Sequence, residues 1–74
     1  MNITPREYFI NRNRQKTGEH EIHVKECKTF PEPQNAIPLG VYNICSAAKE
    51  AAKRAYPNWE VDGCKNCLRE CHTR

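Results

Sequence analysis

The feature that most constrains this fold is a pair of closely spaced cysteines near the end of the chain, Cys64-x2-Cys67. Gly63 precedes the pair and helps the chain turn, so that both thiolates can face one ion. Zinc prefers four nitrogen or sulfur ligands in a tetrahedron, and structural zinc sites are closed by protein ligands. A second pair must therefore come from elsewhere, and His23-x3-Cys27 offers it. The pattern predicts a structural zinc ion held by His23, Cys27, Cys64 and Cys67.

Other side chains near these pairs are alternative ligands. Cys71 or His72 could take the place of His23, and Cys67 and Cys71 become i,i+4 neighbours able to share a metal if the tail is helical. His20 and His23 point to opposite faces of a strand, so both cannot easily bind one ion. His20 is interpreted as a surface histidine. The two histidines also lack the H-E-x-x-H spacing of catalytic zinc sites, and no catalysis is expected.

A stabilising cross-link such as a bound metal ion is expected because the chain is short and its apolar content is low. It has 74 residues, enough for one domain spanning residues 1–74, with 38% hydrophobic and 8% aromatic residues. In so small a domain the burial of apolar surface only just offsets the loss of chain entropy. A metal ion, disulfides or a partner subunit must supply the remaining stability.

The cellular compartment decides between a metal ion and disulfides. The start of the chain has neither the apolar segment nor the cleavage site of a secretory signal. No run approaches the roughly 18 apolar residues of a membrane span. The protein is therefore expected in the cytoplasm, away from membranes, where thiols stay reduced. Five cysteines, an odd number, also fit a disulfide framework poorly.

The first half of the chain predicts two or three strands. Residues 7–11 are rich in β-forming side chains, and residues 19–24 are a second such run. The polar loop between them ends at Gly18, which predicts a β-hairpin. Residues 36–42 are a further apolar segment, which Pro38 restricts to an edge strand or a tight extended segment.

One main helix is predicted in the second half. Asn43 is a suitable N-cap, Ser46 is an alternative start, and Pro57 ends the helix. Residues 64–72 contain no Gly or Pro and favour a short helix or a zinc knuckle. The predicted fold class is α+β, with a β-hairpin or small three-stranded antiparallel sheet packed on the helix. The predicted core comprises Tyr8, Ile10, Ile22, Val24, Leu39, Val41, Ile44, Ala48, Ala51, Ala55 and Trp59.

The order of these motifs resembles that of a known zinc domain. A hairpin, an H-x3-C pair, an apolar extended segment, an Ala-rich helix and a G-C-x2-C ending are similar to the N-terminal domain of the bacterial methylphosphotriester DNA repair protein. The resemblance covers roughly residues 8 to 67. It implies that the four zinc ligands of that family correspond to His23, Cys27, Cys64 and Cys67.

The chain departs from that family at one important position. The first cysteine of the family's C-x3-C pair accepts a methyl group, and His23 stands there in this sequence. Methyl transfer is therefore not implied, and DNA contact is implied by analogy alone. The whole chain is also similar to small bacterial proteins of uncharacterised function, which share Leu39-Gly40 and an Asp-Gly-Cys-x-x-Cys stretch followed by Cys-His.

The charge pattern favours a binding module. The formal net charge is +3 with a pI near 8.7. Arg12, Arg14 and Lys16 form a basic segment that can contact phosphates. The sequence predicts a zinc-binding module for nucleic acid or a protein partner, as a monomer or weak dimer with no small-molecule substrate identified.

The alternative function is thiol-based redox or metal-handling chemistry. Cys71, His72 or Cys45 would carry it, because the chain has more soft ligands than one closed zinc site needs. Cys45 lies at the predicted helix start, where the helix N-terminus can lower the pKa of a thiol. As a small apolar residue, it is more simply interpreted as part of the core.

Overall fold

The computed structural model describes residues 5–73, and a β-hairpin lies at its centre. Strand β1 (Arg6–Asn11) pairs antiparallel with strand β2 (Glu19–Val24). Ile10 lies opposite Ile22, and both side chains are buried because alternate residues of each strand face the core. Gly18 closes the connecting loop with φ +103°, a value that an L side chain rarely adopts. The predicted hairpin is confirmed.

The third strand forms one edge of the sheet. Strand β3 (Ala36–Tyr42) follows a 3-10 turn at Pro33–Asn35 and pairs antiparallel with β1 on the side away from β2. Pro38 lies in this strand, opposite Phe9. The strand order places β3 at the edge, so its predicted edge position is confirmed. Proline is tolerated there because it lacks the N–H that an interior strand must donate.

A fourth strand was not predicted. Strand β4 (Glu60–Gly63) pairs parallel with β2, so the strand order is β3-β1-β2-β4 and the sheet is mixed rather than antiparallel. The four residues Glu-Val-Asp-Gly show no useful alternation and contain only one strong β-former, Val61. A parallel neighbour also requires a long crossover, which here includes β3 and the helix. The fold class is α+β, as predicted.

Helix α1 (Cys45–Ala55) packs against the sheet. Its N-cap is Ile44, and no side chain caps it, so neither Asn43 nor Ser46 marks the start as expected. It ends before Pro57, as predicted. No helix among residues 5–73 is long and apolar enough to cross a membrane.

The core confirms most of the predicted positions, and the predictions for two large apolar side chains, Val41 and Ile44, are wrong. Val41 is 64% exposed because pairing of β1 with β3 skips a residue beside Gly40, and this bulge turns Tyr42 inward instead. Ile44 is 53% exposed because it precedes the helix in an extended conformation.

The helix face is also offset from its predicted position. Ala48 is buried as expected, but the other buried positions are Cys45 and Ala52 rather than Ala51 and Ala55. Residues 64–72 do not form a full helix. They form turns that end in a single 3-10 turn, Arg69–Cys71, and bury Leu68 against the core.

Candidate metal centre

Two parallel strands bring the predicted ligands to one end of the sheet. Ile22 on β2 lies opposite Gly63 on β4, so the segments that follow both strands leave from the same end. The backbone N–H of Cys64 donates to the carbonyl oxygen of Ile22 at 3.0 Å. The N–H of Cys27 donates to the carbonyl oxygen of Val24 at 3.1 Å and turns the chain back toward this end.

Four side chains meet there closely enough to hold one metal ion. Their ligand atoms all lie within 4.8 Å of one another. The Sγ atoms of Cys27 and Cys64 are 3.7 Å apart, which matches the roughly 3.8 Å expected for two sulfurs on one zinc ion with Zn–S bonds of about 2.3 Å. Three of the residues are buried and one is half-buried. This ligand cluster comprises His23, Cys27, Cys64 and Cys67.

One nitrogen of the His23 ring is buried without a hydrogen-bond partner among the described residues. This atom is Nδ1, whereas Nε2 of the same ring lies 3.7 Å from Oε1 of Glu21. Burial lowers the pKa of His23 to about 4, so the ring is neutral at physiological pH. A buried imidazole nitrogen without a partner costs free energy, and a metal ion at Nδ1 would remove that cost.

The thiols of the ligand cluster have unequal proton affinities. Burial alone would raise the pKa of the Cys27 thiol, but hydrogen bonds from Cys67, Thr29 and Cys64 outweigh burial and lower it. Burial, and then the hydrogen bond shared with Cys27, raises the pKa of Cys67. A metal ion bound to both sulfur atoms would favour the ionised form of each thiol.

Polar groups around the cluster support negative sulfur atoms. The Thr29 hydroxyl lies 3.3 Å from the Sγ atoms of both Cys27 and Cys64. The backbone N–H of Asn66 donates to Sγ of Cys64 at 3.4 Å, and the Asn66 side chain donates to Thr29 at 3.2 Å. Donors that point at a metal-bound thiolate fix its position, as outer-shell groups do in metal sites.

The alternative ligands lie outside the ligand cluster. Cys71 forms a disulfide with Cys45, contrary to the expectation that the thiols stay reduced. The fold places the start of α1 beside the C-terminal 3-10 turn, and the Cα atoms are 6.4 Å apart, within the usual disulfide range. His72 instead lies with Nδ1 2.9 Å from the carbonyl oxygen of Gly63.

His20 is not the surface residue that was expected. It is buried, its Nδ1 lies 3.0 Å from the carbonyl oxygen of Asn11, and its ring stacks on Trp59 with centroids 3.7 Å apart. The Trp59 ring also stacks on Tyr56 at 4.2 Å. Only the pairing of β4 with β2 brings Trp59 over this histidine, so no local sequence signal predicts the stack.

The buried carboxylate of Asp62, which was not predicted from the sequence, holds the C-terminal segment in place. Asp62 is 1% exposed, and its Oδ1 accepts hydrogen bonds from the backbone N–H and hydroxyl of Thr73 at 2.9 and 3.0 Å. Lys49 Nζ lies 3.4 Å from the same oxygen. The C-terminal segment is thereby fixed to β4 and α1 beside the ligand cluster.

Two basic surfaces lie at opposite ends of β2. The predicted residues Arg12, Arg14 and Lys16 are exposed in the loop that precedes β2. The ligand cluster lies at the other end of the strand, next to a concavity that the sequence interpretation did not identify. The Cys64-x2-Cys67 spacing could have indicated this concavity, because it places residues 65 and 66 at the exposed tip of the knuckle. The concavity is lined by Lys65, Asn66, Arg69 and His72.

The ligand cluster thus lies at one end of the mixed sheet, and a disulfide joins α1 to the C-terminal segment. The side chains at the four positions implied by the repair-protein resemblance do converge. The family relationship itself stays a prediction. The chain matches no protein-family model, no curated protein and no solved structure.

Proposed function

We propose that this chain is a structural zinc-binding module. The observation that carries the proposal is the convergence of three thiols and one imidazole within 4.8 Å of one another. Sulfur and imidazole donors suit zinc, whereas magnesium and calcium take oxygen ligands. Four protein donors leave no open position on the metal, so the zinc would serve the fold rather than a reaction.

Zinc content and chelation test this proposal. Protein purified without added metal is expected to contain a single zinc ion per chain. Chelation is expected to abolish cooperative melting, because structural zinc contributes on the order of 10–16 kcal/mol of apparent binding free energy. Metal-free protein that melts identically with and without chelator would overturn the proposal.

Cysteine variants test which thiols hold the ion. Cys27→Ser and Cys64→Ser are each expected to lose bound zinc, because each removes one of the four ligands. The double variant Cys45→Ser/Cys71→Ser is the matched control. It removes two cysteines outside the ligand cluster and is expected to keep the zinc. Equal zinc loss in the control would contradict the assignment.

We further propose that the module binds nucleic acid or a protein partner through its basic residues. The exposure of Arg12, Arg14 and Lys16 supports this role, because cations that contact phosphates release counterions and gain affinity. Lys65 and Arg69 offer a second basic surface beside the ligand cluster. Nucleic acid is the partner that can be tested first.

Charge reversal separates the two basic surfaces. Arg12→Glu/Arg14→Glu/Lys16→Glu is expected to weaken binding to fluorescent DNA or RNA at low salt by at least roughly tenfold and to flatten its salt dependence. The control for added negative charge reverses Lys53 and Arg54 on the exposed side of α1 and should leave affinity close to that of the unchanged protein.

Fluorescence anisotropy across a salt series provides the measurement. Unchanged affinity in the triple variant would remove the loop from the interface. A loss confined to Lys65→Glu/Arg69→Glu would instead place the contact beside the ligand cluster. No binding of any nucleic acid by the zinc-loaded protein would leave a protein partner as the remaining form of the proposal.

A further inference from the structure

The thiol chemistry of this chain is divided between two places. Three cysteines belong to the ligand cluster, and the other two, Cys45 and Cys71, form a disulfide. This disulfide joins the first residue of α1 to the last residue of the C-terminal 3-10 turn. It is therefore formed from residues that the proposed zinc site does not use.

The disulfide lies in the wall of a surface cavity. The cavity has a volume of about 250 Å³, several times the roughly 30 Å³ that one water occupies in the liquid. Both cysteines are among the residues that line it, so the cavity is the route by which a small thiol would approach the disulfide. Charged groups of both signs, Arg6 and Glu70, lie in the same wall and can contact the polar groups of such a molecule.

The two sulfur atoms are not equivalent as leaving groups. Cys45 begins an 11-residue helix, and a helix N-terminus stabilises a thiolate. Cys71 lies outside that helix and is the more exposed of the two, at 8% against 3%. A thiolate with the lower proton affinity leaves faster, so attack is favoured at Cys71, with Cys45 departing.

We propose that Cys45 and Cys71 form a redox-active disulfide that exchanges with low-molecular-weight thiols. In the first step a small thiolate attacks Sγ of Cys71. The bond to Cys45 breaks, a mixed disulfide forms on Cys71, and Cys45 leaves as a thiolate. In the second step another small thiolate attacks the small-molecule sulfur of that mixed disulfide. This step releases the oxidised small-molecule disulfide and the Cys71 thiolate, so two electrons pass to the protein.

Alkylation and mass mapping of the zinc-loaded protein test the exchange, with reduced glutathione as the probe. Early alkylation is expected to trap glutathione on Cys71 and the alkyl group on Cys45. At completion both cysteines should be alkylated while the zinc content is unchanged. A disulfide that resists millimolar glutathione in the folded protein, or cysteines that are already free in purified protein, would overturn the proposal.

The position of the trapped adduct tests the direction of attack. Glutathione found on Cys45 rather than Cys71 would contradict the assigned leaving group. Cys45→Ser/Cys71→Ser is the control, and it should give no adduct and keep its zinc. Zinc is measured in the same samples, so failure of the zinc site is distinguishable from failure of the exchange. Protein that melts cooperatively without zinc and still exchanges at Cys71 would contradict the zinc site and support this proposal alone.

Discussion

At the scale of single residues, the orientation of His23 is the most informative detail. Its Nδ1 atom is buried and lacks a partner among the described residues, whereas Nε2 faces Glu21. The two side chains are two apart on β2 and therefore lie on the same face of the strand. An imidazole that binds a metal through one nitrogen commonly donates the other N–H to a carboxylate, which fixes its tautomer.

Substitution of Glu21 tests this outer contact. Glu21→Ala is expected to weaken zinc binding by about tenfold or more, because outer-shell partners typically contribute that much to metal affinity. Glu21→Gln keeps an acceptor oxygen and should recover part of the loss. Competition with a chromogenic chelator provides the measurement. The exposed Glu26→Gln is the control, and an equal loss there would contradict a specific role for Glu21.

At the scale of elements, the close approach of β4 to the C-terminal turn defines this end of the molecule. Gly63 ends β4, and a Cβ atom there would lie 2.7 Å from Cβ of Cys71 and 3.0 Å from the carbonyl oxygen of Leu68. Neither neighbour is the flexible end of a long side chain. The strand and the turn can therefore pack this closely only because residue 63 has no side chain.

Gly63→Ala is accordingly expected to be destabilising. Overpacking of a tight contact costs about 1–3 kcal/mol, and the shift should also weaken zinc binding because Cys64 follows directly. Gly18→Ala is the matched control. The positive φ of residue 18 makes alanine strained there, but nothing lies within 4 Å of the new Cβ. Residue 18 also lies at the end of β2 that is far from the ligand cluster. Denaturant melts and zinc competition compare them. Unchanged zinc affinity in Gly63→Ala would contradict the coupling.

At the scale of the whole molecule, two cross-links would compensate for a small core. The ligand cluster would join the ends of β2 and β4, and the disulfide joins α1 to the tail across a sequence separation of 26 residues. Beside Tyr8 and four aliphatic side chains, the buried cluster is made largely of alanines and cysteines, which are small. Such a core alone gives little net stability.

The two cross-links should differ in their contribution to stability. Reduction of the disulfide is expected to lower the free energy of unfolding by about 3–4 kcal/mol, from the entropy of a loop of that length, and to leave the zinc-loaded protein folded. Chelation should unfold it even with the disulfide intact. Thermal melts in the four combinations of chelator and reductant provide the measurement. Unfolding on reduction alone would contradict this ranking.

The sequence by itself was sufficient to predict the hairpin, the edge strand, the helix end and the four converging side chains. The hairpin, the edge strand and the helix end depend on local rules, namely strand-forming runs and the missing N–H and fixed backbone of proline. The four ligands could be predicted although they are far apart, because a closed zinc site needs two ligand pairs and each pair has a recognisable short spacing. Only the tertiary structure decided the parallel strand β4, the burial of Asp62 and His20, the exposure of Val41 and the pairing of Cys45 with Cys71. Most of these features depend on contacts between residues far apart in the chain, and the exposure of Val41 depends on a bulge that reverses the alternation of a strand. Local sequence patterns predict neither.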